Sequence, residues 1–140
     1  MKSNSKFLRL LLREYRDNVT RLQMNKSITE EGDLDPPIDP PKDLEELVQG
    51  NKNPRCFIAI EVERSGSKKH MLGDIVNASA LGFIGLIVAW DKDVLRHFLR
   101  ILRYQVFLES VGKGKFKRTN VLVVTRDQMA RIKGIMMPAS

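Results

Sequence analysis

The sequence predicts an α/β fold in which a largely parallel sheet is flanked by helices, and two observations carry that prediction. Three short apolar runs at 55–63, 84–90 and 120–125 have the length and β-branched content of strands. Two helix-length segments, 68–81 and 93–110, separate them, and strand, helix, strand, helix, strand at such spacings joins parallel neighbours through crossovers. Size and composition agree: 140 residues, 42% hydrophobic and 29% charged, can bury a core. Residues 1–140 read as a single domain with a Pro/acid-rich loop or tether at about 27–43.

The elements follow in order. Residues 5–24 place Leu8, Leu11, Leu12, Tyr15, Val19 and Leu22 at helical spacing, so one face packs. Arg9 interrupts the apolar run 7–12 and Arg13, Glu14, Arg16 and Asp17 follow it, which makes this an amphipathic helix rather than a signal peptide. Pro36, Pro37, Pro40 and Pro41 then cannot donate backbone hydrogen bonds and favour extended chain. The stretch 43–49 (DLEELVQ) fits one helical turn or a short strand. The run 55–63 is a strand, and 68–81 is a helix with Leu72, Ile75, Val76, Ser79 and Ala80 on one face, stopping at Gly82. The run 84–90 (IGLIVAW) is apolar on both faces and belongs inside the sheet. The helix 93–110 buries Val94, Leu95, Phe98, Leu102 and Phe107. A basic turn at 112–118 leads to the strand 120–125, and a short helix from Asp127 closes the fold.

One cysteine, Cys56, excludes an internal disulfide and fits a reducing, cytoplasmic setting; at the head of an apolar run it reads as a buried structural thiol. No apolar stretch is long enough to cross a bilayer. The net charge of +7 is unevenly spread. Residues 30–46 hold eight acids and one base, so the remainder carries +14. A body that basic attracts polyanions, nucleic acid above all, although a merely solvated basic surface has the same composition. Arg96, Arg100 and Arg103 fall at i, i+4 and i+7 as a basic stripe, and Lys113, Lys115, Lys117 and Arg118 crowd the following turn around Phe116. His70 and His97 have no partners at zinc-ligand spacing, and no GxGxxG or Walker signature is present. Trp90 reads as a core or rim residue.

Chemistry concentrates on the strand 55–63. Alternation puts Phe57, Ala59, Glu61 and Glu63 on one face and Ile58, Ile60 and Val62 on the other. Two carboxylates about 7 Å apart at Cα are unfavourable at the end of an apolar strand without a proton or a cation between them. The alternative is that the strand has left the core by Glu61 and the pair meets water, Arg64, Lys68 or Lys69.

The segment IAIEVERSGSKKHMLGDIVNASALGFIGLIVAW (58–90) resembles the core of the PD-(D/E)XK, or restriction-endonuclease-like, nuclease superfamily. In that family a central strand carries an acid, one spacer and a lysine, followed by a helix and an interior strand. Glu61 matches the acid, and Glu63 stands where lysine is usual, as in some restriction-enzyme branches. The likeness spans about 43–90 and extends loosely to 125. It implies a three-layer core with a mixed central sheet flanked by helices, and Mg²⁺-dependent (or Mn²⁺-dependent) endonucleolytic hydrolysis of DNA, with RNA as the other candidate polymer. Glu61, Glu63 and an upstream acid, Asp43 with Asp39 as runner-up, would hold the metal. Lys68 or Lys69 would replace the motif lysine, and Arg96, Arg100, Arg103, Lys113, Lys115, Lys117 and Arg118 would contact phosphate. Glu14 is either a helix-borne acid of the site or an exposed helix residue, and Asp74 and Asn77 read as surface or capping residues. A homodimer would suit a duplex substrate. Two other readings stand beside this one: a non-catalytic member of the same fold that binds nucleic acid or protein, and a flavodoxin-like regulatory domain, which would have all its strands parallel.

Overall fold

A computed structural model describes residues 2–24, 38–65, 67–112 and 120–138 of the chain. Eight elements run in the order α1 (Lys2–Met24), α2 (Leu44–Leu47), β1 (Cys56–Glu63), α3 (Lys68–Leu81), β2 (Gly82–Ala89), α4 (Lys92–Ser110), β3 (Val121–Thr125) and α5 (Arg126–Met136). The stretch left open between helix and strand is α2, because the Asp43 carboxylate accepts the Glu46 N–H at 2.9 Å and nucleates a turn. The basic turn residues Lys113, Lys115, Lys117 and Arg118, with Phe116, and most of the Pro/acid-rich segment lie outside the described residues, as does the side chain of Phe107.

The sheet has the order β1-β2-β3, and both pairings are parallel. This corrects the mixed sheet that the nuclease resemblance implies. Each strand reaches the next through a helix, which returns the chain to the same end of the sheet and so fixes a common direction. The segment that would have supplied an upstream strand of opposite sense is the helical turn α2. The all-parallel pairing is what the flavodoxin-like reading expected, but among the described residues the strand order differs: that fold places its first strand between later ones, whereas β1 lies at the sheet edge.

Every residue of β3 and nearly every residue of β2 is buried, as two-sided apolar strands require. On α1 the expected stripe packs, with Leu8, Leu11, Leu12, Tyr15 and Val19 buried. Helix α5 starts with a reciprocal capping box between Thr125 and Gln128. Gln128 is also buried against α1, exchanging hydrogen bonds with Asn18 at 2.8 and 2.9 Å and donating to Glu14 at 2.9 Å. Glu14 is therefore a structural acceptor between α1 and α5, with only 15% of its side chain exposed.

Three expectations change at side-chain level. Helix α3 buries Met71, Ile75, Ala78 and Ser79, while Leu72 and Val76 are 40% and 37% exposed, so the packed face is turned by about one residue from the expected one. Close backbone approach decides the rotation. A Cβ on Gly85 would stand 2.8 Å from the Ala78 carbonyl carbon, so Ala78 is the residue that rests on the sheet. On α4 the buried rows are Val94–Phe98–Leu102 and Leu95–Leu99–Arg103, and the open row is Arg96–Arg100–Tyr104. Arg103 therefore continues an apolar row at i+4 and is 6% exposed, leaving Arg96 and Arg100 as the open part of the expected stripe. Cys56, expected to be buried, is exposed, because it begins a strand at the sheet edge. No helix among the described residues is long and apolar enough to cross a membrane.

Candidate carboxylate site at the sheet edge

The position of Asp74 follows from the Gly85–Ala78 contact. Gly85 is in register with Ala59 of β1. Asp74 precedes Ala78 by one helical turn, about 6 Å, and α3 runs back over the strands. A step of about 6.6 Å along β1 towards its carboxyl end, two residues, leads from Ala59 to Glu61, and two more lead to Glu63. Asp74 is thus set down over the acidic face of β1. Both glutamates are half-buried there, and the opposite face, with Ile60 and Val62, is the one left open, at 56% and 58% exposure.

Three carboxylates consequently share one environment. Burial, followed by a hydrogen bond with Glu63 and the charges of Glu63 and Glu61, raises the Asp74 carboxyl from 3.8 to about 7. Two ionised carboxylates cannot hydrogen-bond to each other, so the Asp74–Glu63 contact exists as a bond only while a proton is held between them. The second carboxylate oxygen of Asp74, Oδ2, is buried and has no donor. A cation would satisfy that oxygen and relieve the repulsion at once.

The residues singled out from the sequence fall into separate places. Glu61 and Glu63 are together, and Asp74 joins them. Asp43 is engaged as the cap of α2, which packs on α1, and lines a cleft of about 520 Å³ with Arg9, Arg13, Arg16 and Lys42. Asp39 is exposed. Lys69 is exposed in the first turn of α3; Lys68 begins that helix, and its side chain lies outside the described set. Arg96 is exposed and paired with Asp93 at 2.7 Å, and Arg100 is exposed. Among the described residues no three His, Cys, Asp or Glu side chains are gathered closely enough to form a metal cage. Mg²⁺ commonly binds through one or two carboxylates, with water and substrate phosphate completing its octahedron, and the Glu63–Asp74 contact with its orphaned oxygen fits that requirement.

Sequence reasoning passed over two features. Asp74 lies at i+3 from Met71 and i−4 from Ala78, so an inward stripe drawn through Met71, Ile75 and Ala78 would have shown it as a half-buried acid beside that stripe. The second feature is a row just past the strands. Glu63, Ala89 and Thr125 are in register, and the Trp90 N–H donates to the Glu63 carbonyl at 2.9 Å. The residues that follow the three strands are Arg64, Trp90 and Arg126, the last of which opens α5. The guanidinium carbons of Arg64 and Arg126 stand 4.6 and 4.0 Å from the indole centroid. Both features lie towards the carboxyl ends of parallel strands, where ligands bind in open α/β sheets.

No protein-family model, curated protein or solved structure matches the chain.

Proposed function

We propose that this chain is a Mg²⁺-dependent endonuclease of the restriction-endonuclease-like class that hydrolyses phosphodiester bonds in DNA. The observation that carries the reading is the buried, donorless oxygen of Asp74 packed among Glu63 and Glu61. Three acids on a strand and the helix that follows it are costly to the fold unless something positive belongs there. The motif resemblance, the basic composition and the open Arg96 and Arg100 support a polyanionic substrate.

Glu63 and Asp74 would hold the cation, with Glu61 beside them adding negative charge. When bound, a divalent cation acidifies its water and neutralises charge that builds on the phosphate under attack. Asp74 gives up its proton as the cation arrives, so metal affinity increases as pH rises through about 7. Lys69, with Lys68 one residue before it, supplies an ammonium near the end of the acidic strand. Two copies of the chain would present two sites to a duplex.

Plasmid cleavage tests the reading. Wild-type protein with Mg²⁺ should nick or linearise DNA, and Glu61→Ala should reduce the rate by at least about 100-fold, the scale on which metal-site residues act. Unchanged cleavage by purified Glu61→Ala refutes it. A non-catalytic module that binds nucleic acid is the second reading, favoured by Glu63 at the lysine position and the absence of a gathered three-ligand cage among the described residues. Calorimetric titration with Mn²⁺ separates the two: the nuclease reading requires a binding heat that Glu63→Gln abolishes.

A further inference from the structure

We infer that Arg64, Trp90 and Arg126 form a binding site for the phosphodiester backbone of nucleic acid, separate from the carboxylates and independent of metal. The inference extends the nuclease reading and borrows from it only the identity of the polymer.

The register builds this row. Because Glu63, Ala89 and Thr125 align, one residue further brings an arginine, a tryptophan and an arginine side by side on adjacent strands. Both guanidiniums lie over the same indole. Two like charges sharing one ring repel, and acids are close in sequence: Glu63 beside Arg64, Asp91 beside Trp90 and Asp127 beside Arg126. Neither Arg64 nor Arg126 forms an ion pair with a described carboxylate, and Asp91 is spent on capping α4 through the Val94 N–H at 2.9 Å. A cation–π contact occupies the face of a guanidinium and leaves its in-plane N–H donors free. The indole thus holds two exposed forks in fixed orientations with donors to spare, the geometry suited to phosphate oxygens.

Spacing favours a polymer over a single phosphate. Arg64 and Arg126 follow strands two apart, and their guanidinium carbons, at 4.6 and 4.0 Å from one indole centroid, stand no more than about 9 Å from each other. That reach covers at most about two nucleotides along one DNA strand at about 3.4 Å per nucleotide, so the two forks suit neighbouring phosphates of one backbone. Guanidinium–phosphate contacts confer position and affinity without sequence choice. The substrate strand would thus be held one residue past Glu63, beside the acidic face.

Trp90 is the chain's single tryptophan, so its fluorescence reports on this site alone. Titration of wild-type protein in EDTA with a duplex of about 20 base pairs and arbitrary sequence should give a saturable change in emission. By anisotropy of a labelled duplex, Arg64→Ala and Arg126→Ala should each weaken binding about tenfold and reduce the slope of log K against log salt by about one. Lys133→Ala, an exposed control on α5, should change affinity less than about twofold. Circular dichroism confirms that each variant is folded. Wild-type affinity in both arginine variants, or equal losses in all three variants, overturns the inference. So does a fluorescence change that inorganic phosphate or polyglutamate produces and DNA does not. If wild-type protein binds through the arginines yet never cleaves with Mg²⁺, the nuclease reading falls and this site stands. If cleavage is lost in Glu61→Ala while binding proves independent of the arginines, this site falls and the nuclease reading stands.

Discussion

Asp74→Asn in metal-free buffer should stabilise the protein at alkaline pH and leave it unchanged under acidic conditions. Between its unfolded value of 3.8 and its folded value of about 7, Asp74 holds a proton in the native chain that the unfolded chain releases. The stability it contributes is therefore complete below about 3.8 and is lost as pH rises through about 7. Each pKa unit corresponds to about 1.4 kcal/mol. The full shift would exceed about 4 kcal/mol, and solvent screening at a site on the sheet edge reduces this to about 2 kcal/mol. The amide of Asp74→Asn carries no charge and can donate to Glu63 at any pH. Thermal unfolding in EDTA, followed by circular dichroism, should give matching midpoints at about pH 3, below the unfolded value. At pH 8.5 the variant should melt about 5–10 °C higher. Adding Mg²⁺ at pH 8.5 should raise the wild-type midpoint and leave the variant nearly unmoved. A variant destabilised equally at both pH values would refute the reasoning, since Asp74 would then be contributing packing rather than repulsion.

The other predictions concern how α3 and β1 are placed. Gly85→Ala should cost about 1–3 kcal/mol in urea unfolding, because the added methyl meets the α3 backbone at Ala78. By lifting Asp74 from Glu63 it should also flatten the loss of stability between about pH 4 and 7. Gly73→Ala has nothing within 4 Å of the new methyl and lies inside α3, so it should gain about 0.5–1 kcal/mol; a loss would show that the helix rests on the sheet differently. Cys56 should react fully with a thiol reagent such as Ellman's in the native protein, without denaturant; a protected thiol would mean that the edge of β1 is covered in solution.

Local chemistry made the elements readable. The apolar runs became β1, β2 and β3, the segments between them became α3 and α4, and the stripe from Leu8 to Val19 became the buried face of α1. Parallel pairing followed from the helices between the strands. The alternation that placed Glu61 and Glu63 on one face was also legible, because side-chain direction along a strand has a period of two.

Tertiary structure decided which face is covered and who meets whom. The acidic face of β1 lies under α3 and the apolar face with Ile60 and Val62 stays open, a choice set by where neighbouring elements end rather than by β1 itself. The rotation of α3 depends on Gly85, a residue of another element, and it brought in Asp74 while leaving Asp43 to cap α2. Arg64, Trp90 and Arg126 lie 26 and 36 residues apart in sequence and meet only because three strands end in register. Period and propensity act within a segment, whereas register and close approach are properties of pairs of segments, so they first exist when the sheet is assembled.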